Sequence, residues 1–256
     1  MDTAASLITL FWLGVAAGVV PVYLGIGLAL GAHRLISRER EGFFVGIAIG
    51  VLAYLFFDLT HEAVELTGGR DPLSWLAFLG SLFVGLVGLV MLEQLQQNRR
   101  RPTSLELSLP FWIALGMGLH NLGEGLSLGA SYAQEAWDLS LLLLIGFALH
   151  NGTEGFGIIG AAGRTPIAWK DAVSLGLLAG APTCLGTLIS GQNPSPYFTI
   201  VCYTLGAGSL LYVVLALTAI AYTATRRVQV ALGAFTGIAV MFLPAMLLTL
   251  VGGVRS

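Results

Sequence analysis

Residues 139–162 read LSLLLLIGFALHNGTEGFGIIGAA, an apolar stretch long enough to cross a lipid bilayer, with the hexapeptide HNGTEG near its middle. A transmembrane helix needs about 20 mostly apolar residues. Breaking the rest of the chain at its charge clusters and Gly/Pro turns gives seven more stretches of this kind. The sequence therefore predicts an all-α polytopic membrane protein with eight transmembrane helices, at 7–32, 43–67, 73–96, 110–134, 139–162, 169–190, 196–224 and 228–252.

Composition supports this class. Of the 256 residues, 56% are hydrophobic and only 10% are charged, whereas soluble domains average about 25% charged residues. No ten-residue alternation indicates a transmembrane barrel, and no basic run with interleaved aromatics indicates nucleic-acid binding. We expect a single transmembrane domain over 1–256, whose first apolar stretch is a retained helix because it is longer than a signal-peptide core.

Loop charges predict the orientation. With the N-terminus outside, the inner loops would carry ten of the twelve Lys and Arg residues: Arg34, Arg38, Arg40, Arg99, Arg100, Arg101, Arg164, Lys170, Arg226 and Arg227. Cytoplasmic loops are enriched in Lys and Arg. We therefore expect a plasma-membrane protein with both termini outside.

A polar motif occurs twice inside these apolar stretches. HNLGEG occupies 120–125 and HNGTEG occupies 150–155, so each histidine precedes a glutamate by four residues and lies one helical turn from it. Both motifs begin about ten residues into antiparallel spans, near the bilayer midplane. We expect His120, Glu124, His150 and Glu154 to converge on one point.

The donor set predicts the ligand. Two imidazoles and two carboxylates without a thiolate suit Zn²⁺, Fe²⁺ or Mn²⁺. Asn121 and Asn151 follow the histidines by about 100° around each helix and can add oxygen ligands or hold the other ligands in place. Gly125 and Gly155 are small enough to let the two motif helices approach closely.

The second span carries four more ionisable residues on one stripe. In YLFFDLTHEAVEL these are Asp58, His61, Glu62 and Glu65. Ionisable residues within a membrane generally mark an ion or proton pathway. We interpret the stripe as a cation path from the outer surface, with a purely interfacial Glu65 as the alternative.

Other functions fit less well. Polar interhelical contacts alone would not require the same motif twice. A membrane metalloprotease would need H-E-x-x-H, which is absent, and retinal would need a lysine within a span. Haem ligation by His120 and His150 is conceivable but leaves both glutamates unexplained. An intramembrane metalloenzyme and a haem protein remain the alternatives, and no prosthetic group is expected.

The two hexapeptides resemble the paired HNxPEG motifs that the ZIP (Zrt/Irt-like protein) family of metal-ion transporters carries on its fourth and fifth of eight spans. DLTHEA in the second span is similar to the family's HLLPEA, with Asp58 in place of its histidine and Glu62 matching its glutamate. The resemblance implies a 3+2+3 helix arrangement with inverted pseudo-symmetry, commonly a homodimer. It also implies uptake of zinc first, or of iron or manganese, towards the cytoplasm.

By position, the resemblance implies a main metal site at His120, Glu124, His150 and Glu154, with Asn121 and Asn151 facing a second, adjacent site. The sequence departs from the family pattern at three positions. Gly123 and Thr153 replace the prolines of the motifs, and Ala181 precedes Pro182 where the family often has glutamate. Glycine can loosen a helix and threonine can bond to a preceding carbonyl. We expect milder helix kinks and one dominant metal site.

Overall fold

A computed structural model of the chain describes residues 3–32, 38–68, 71–99, 105–133, 135, 137–162, 166–191, 195–222 and 227–252. These residues form eight continuous helical segments and contain no β-strand. The predicted all-α class is therefore confirmed. Each segment overlaps one of the predicted spans, with ends that differ by a few residues.

Two of the eight segments are interrupted by a π-helical turn. The first segment consists of α1 (Thr3–Gly14), π1 (Val15–Val19) and α2 (Val20–Ala32), and the third consists of α4 (Pro72–Phe83), π2 (Val84–Gly88) and α5 (Leu89–Arg99). The other helices are α3 (Arg38–Leu66), α6 (Leu105–Ala133), α7 (Trp137–Ala161), α8 (Trp169–Ser190), α9 (Pro196–Ala221) and α10 (Arg227–Gly252).

Five helical stretches of the described chain are long and apolar enough to cross a membrane. They are Ser6–Gly31, Gly42–Leu66, Pro72–Leu95, Trp169–Ser190 and Pro196–Ala221, and α10 contributes a shorter apolar stretch, Arg227–Leu243. Helices α6 and α7 carry the His, Asn and Glu residues of the motifs, which lower their mean hydropathy. The chain is thus an integral membrane protein by the length and composition of its helices.

Local sequence sets the start of α4 and of α9. The Asp71 carboxylate accepts a hydrogen bond from Leu73 N–H and caps α4, and the Ser195 hydroxyl accepts one from Phe198 N–H and caps α9. Each cap is followed by proline, which suits the first helical position. Tyr197 O–H donates to Asp71 Oδ2 at 2.7 Å and ties the two helix starts together. This hydrogen bond, followed by that from Leu73, lowers the pKa of Asp71.

Helices α6 and α7 each pack against several other helices. Helix α6 packs against α8, α9 and α7, while α7 packs mainly against α2 and π1. Helix α3 lies against α9, α10 and α7, and α4 with π2 lies against α9. Other helices therefore cover much of both motif helices, while Leu141, Ile145 and Leu149 leave one face of α7 exposed.

Most of the charged loops lie outside the described residues. The gaps 33–37, 69–70, 100–104, 163–165 and 223–226 contain Arg34, Arg70, Arg100, Arg101, Arg164 and Arg226. The orientation inferred from the loop charges stays a prediction.

Candidate metal centre

The two motifs meet in the interior of the bundle. The six residues His120, Asn121, Glu124, His150, Asn151 and Glu154 are each at most 2% exposed. Three lie on α6 and three on α7, at matching positions one helical turn apart. The convergence expected from the spacing is what the structure has.

Glu124 is the centre of this group. Its Oε1 lies 2.9 Å from His120 Nε2 on the same helix and also contacts His150 Nε2 on the neighbouring helix. The ring centroids of the two histidines are 6.0 Å apart. One carboxylate oxygen thus faces the Nε2 atoms of both histidines.

The two asparagines cross between the helices. Asn121 Nδ2 donates to Glu154 Oε2 at 2.9 Å, and Asn151 Nδ2 donates to Glu124 Oε2 at 3.1 Å. Each amide therefore holds the glutamate of the opposite motif. The amide oxygens of both asparagines are buried and have no hydrogen-bond partner within the described residues, so they are available as ligands.

The same amides also bind two outer helices through the backbone. Asn121 Nδ2 donates to Ala179 O in α8 at 3.1 Å, and Asn151 Nδ2 donates to Ala17 O in π1 at 2.9 Å. Because a carbonyl can only accept, these contacts fix which end of each amide is nitrogen. Sequence reasoning missed Ala17 and Ala179, since backbone acceptors leave no side-chain signal.

Glu154 completes the cluster from the other side. Its Oε1 lies 3.6 Å from His120 Nε2 and makes no hydrogen bond within the described residues. A buried carboxylate oxygen without a hydrogen bond is costly unless a charge or a ligand compensates it. This oxygen is therefore the one most in need of a cationic partner.

Gly125 and Gly155 were expected to let the two motif helices approach each other, and this expectation is wrong about which helices they bring together. A Cβ on Gly125 would overlap Thr183 O in α8, and a Cβ on Gly155 would lie 2.5 Å from Val22 O in α2. These glycines bring each motif helix close to an outer helix, not to the other motif helix. The reason is geometric: each glycine lies about 100° around the helix from the preceding glutamate.

Gly123 and Thr153 leave both motif helices continuous. Thr153 Oγ1 donates to His150 O at 2.7 Å, which is the back-bond expected from its sequence position. Beside Gly123, the space that a Cβ would fill is bordered by Tyr203 Cδ1 at 3.5 Å and Leu59 Cδ2 at 3.8 Å. Leu59 and Tyr203 thus cover the motif of α6.

The stripe on α3 lies outside the buried cluster. Asp58, His61, Glu62 and Glu65 are all exposed, and His61 Nε2 lies 3.3 Å from Glu65 Oε1. The Asp58 carboxylate nevertheless interacts electrostatically with His150, Glu124 and His120. Glu62 interacts in turn with Asp58 and Glu65. The four residues form an accessible series whose inner end, Asp58, is nearest the buried site.

The buried cluster has the chemistry of a metal site. Ligand atoms of His120, Glu124 and His150 all lie within 4.8 Å of one another. Ligands bound to one Zn²⁺ at about 2.0–2.2 Å are roughly 3–4 Å apart, so small side-chain shifts suffice. The free thiols of Cys184 and Cys202 are not part of this group. Nitrogen and oxygen donors alone suit zinc, iron or manganese.

Comparison with known proteins does not assign a function to the chain. The chain matches no known protein family, and no curated protein is significantly similar to it in sequence.

Proposed function

We propose that this protein is a divalent transition-metal transporter of the ZIP type. The observation that carries the proposal is the buried cluster of His120, Glu124 and His150, whose ligand atoms lie within 4.8 Å of one another, with Glu154 beside it. Zinc is the first candidate substrate, and iron and manganese are the next. The metal is cargo, and no prosthetic group is required.

Charge supports a dication as the bound species. Moving an isolated ion into a low-dielectric interior costs several kcal/mol or more. Glu124 and Glu154, when ionised, carry two negative charges that a dication neutralises, while neutral histidines add ligands without charge. A bound dication would balance both of these charges without a proton on either histidine.

The stripe on α3 supports transport in addition to binding. Asp58, Glu62 and Glu65 provide accessible carboxylates at one-turn intervals, with His61 beside Glu65. An ion attracted to the outer end can pass from one carboxylate to the next until it reaches Asp58. A site that only stored metal would gain nothing from such a series.

The packing supports an arrangement of eight spans as 3+2+3 with inverted pseudo-symmetry. Such a pseudo-symmetry would pair the first three helical segments with α8, α9 and α10, in that order, and would pair α6 with α7. Under this pairing, the contact of α7 with α2 and π1 corresponds to the contact of α6 with α8. The contact of α3 with α10 corresponds to the contact of α9 with α4 and π2. The crossed Asn–Glu and Asn–carbonyl hydrogen bonds exchange in the same way.

Orientation and direction are part of the proposal. The bias of Lys and Arg favours an arrangement with both termini outside a plasma membrane, in which the acidic stripe faces outward. Import towards the cytoplasm and a homodimeric assembly follow from the resemblance to ZIP proteins. The partners proposed are divalent metal ions, the lipid bilayer and a second copy of the chain.

Geometry disfavours the haem alternative. Glu124 Oε1 faces the Nε2 atoms of both histidines, in the space where a shared haem iron would lie. The metalloenzyme alternative requires a substrate peptide at the metal, and the cluster is at most 2% exposed. We therefore favour transport over both.

Reconstituted uptake tests the proposal directly. Proteoliposomes containing wild-type protein, Glu124→Ala or Glu154→Ala are assayed with Zn²⁺, Fe²⁺, Mn²⁺ and Mg²⁺. We expect saturable wild-type uptake of at least one transition metal, little uptake of Mg²⁺, and loss of uptake in both variants. Transport by both variants at the wild-type rate would show that the site is elsewhere. Gly146→Ala, which fills open space on α7, serves as the matched control.

A further inference from the structure

The acidic stripe and the buried cluster are close but separated. Asp58 is exposed and interacts electrostatically with His150, Glu124 and His120, which are each at most 2% exposed. An ion at Asp58 therefore has to pass the layer of side chains that buries the cluster.

Leu59 and Tyr203 belong to that layer. Both are 6% exposed, and both border the space beside Gly123 of the first motif. Leu59 also lies against Gly206 of α9, where a built Cβ would be 3.3 Å from Leu59 Cδ1 and 3.1 Å from His120 Cα. Helices α3, α6 and α9 thus close tightly beside His120.

One side-chain hydrogen bond joins α9 to α6 in this layer. The hydroxyls of Tyr203 and Ser127 are hydrogen-bonded to each other. Ser127 follows Gly123 by one helical turn, and Tyr203 interacts electrostatically with Glu62 and Asp58. The pair therefore lies beside the first motif and near the acidic stripe.

We propose that the Tyr203–Ser127 pair is a latch that closes the metal site towards the α3 stripe. Breaking the bond lets the Tyr203 ring leave Gly123, which has no side chain to hold it, and opens a passage beside Leu59. Both hydroxyls then become oxygen donors along the path of the ion. The inference rests on the proposed metal site but assigns a role to two residues outside it.

A second hydroxyl pair on α9 provides a matched control. Thr204, the residue after Tyr203, is hydrogen-bonded to Ser81 of α4. This bond also joins α9 to a neighbouring helix, but it lies on another side of α9. If hydroxyl pairs only fastened helices together, removing either bond would have similar effects.

Stopped-flow binding of Co²⁺ tests the latch, because Co²⁺ held by nitrogen and oxygen ligands absorbs visible light. Purified wild type, Tyr203→Phe, Ser127→Ala, their double variant and Ser81→Ala are compared. We expect Tyr203→Phe and Ser127→Ala each to raise the association and dissociation rates by the same factor of about 2- to 12-fold, the worth of one net hydrogen bond. The equilibrium affinity stays the same, and the double variant adds little to either single variant. Ser81→Ala behaves as wild type.

Unchanged rates in both single variants would overturn the latch, and so would a changed affinity at an unchanged association rate, which would make the pair part of the site itself. Equal acceleration in Ser81→Ala would reduce the pair to ordinary helix packing. If the proposed metal site itself is wrong, the result is different. Wild type would then bind no Co²⁺, or Glu124→Ala would bind it as well as wild type does.

Discussion

At the scale of single residues, one carboxylate oxygen organises the site. Glu124 Oε1 faces the Nε2 atoms of His120 and His150, so the three side chains already contact one another where a metal would bind. A proton on either imidazole would strengthen its contact with the carboxylate. Protons and metal ions therefore compete for the same atoms.

This competition predicts a pH dependence of metal binding. Metal binds neutral imidazole, so affinity should fall on acidification through the range in which the imidazoles take up protons. Below that range we expect a loss of about tenfold per pH unit for each proton displaced. Titration calorimetry with Zn²⁺ at several pH values measures it. His61→Ala, which removes an exposed histidine outside the cluster, should keep the same dependence. An affinity independent of pH would contradict the assignment of the histidines as ligands.

The asparagines should contribute to metal affinity because the amide N–H groups of each donate a hydrogen bond to a glutamate of the cluster. Asn121→Ala or Asn151→Ala removes the hydrogen bonds that hold Glu154 or Glu124. Removing such supporting contacts typically lowers metal affinity about 10- to 100-fold. We expect losses of similar size in the two variants because their positions match. Competition with a zinc-binding dye measures the affinity, and thermal unfolding without metal checks that each variant is folded.

At the scale of helices, glycines decide which neighbours the motif helices have. Gly125 lets α6 approach α8, and Gly155 lets α7 approach α2. These contacts bring Ala179 O and Ala17 O within reach of the asparagine amides. The same residues that permit close packing therefore also position the groups around the proposed metal site.

Two glycines on α7 allow a paired test of this interpretation. Gly155→Ala places a methyl group 2.5 Å from Val22 O, whereas Gly146→Ala meets nothing within 4 Å. Overpacking costs about 1–3 kcal/mol, while replacing glycine by alanine at an open helix position gains up to about 1 kcal/mol. We expect Gly155→Ala to lower the midpoint of thermal unfolding and Gly146→Ala to leave it equal or higher. A higher unfolding midpoint for Gly155→Ala than for Gly146→Ala would mean that α7 and α2 do not pack as described.

At the scale of the whole molecule, the long helices and the meeting of the two motifs were predictable, but their surroundings were not. Apolar length defines the helices, and four-residue spacing puts His120 with Glu124 and His150 with Glu154 on one face of each. Nothing in that spacing identifies α8 and α2 as neighbours, because side-chain periodicity gives the direction of a face and not its partner. Tyr203 lies in an apolar helix without a pattern, so its contact with Ser127 required the structure.

The orientation of the molecule can be tested with two exposed alanines. Ala133 ends α6 on the side predicted to be outside, and Ala168 precedes α8 on the side predicted to be cytoplasmic. In intact cells, a membrane-impermeant maleimide should label Ala133→Cys but reach Ala168→Cys only after permeabilisation. The native Cys184 and Cys202 are buried and should give a low background. Labelling with the opposite pattern would invert the topology and with it the proposed direction of uptake.

The π-helical turn at 15–19 makes this part of the chain sensitive to length. A π turn holds more residues than an α-helical turn, so shortening it by one residue would turn everything after it by about 100° around the helix axis. Gly25 would then rotate away from Gly155, and the reshaped turn would displace Ala17 O, which lies within it, from the Asn151 amide. A one-residue deletion in this turn would therefore misalign the helix that follows it with its neighbours, whereas most single substitutions in the same turn leave the alignment intact.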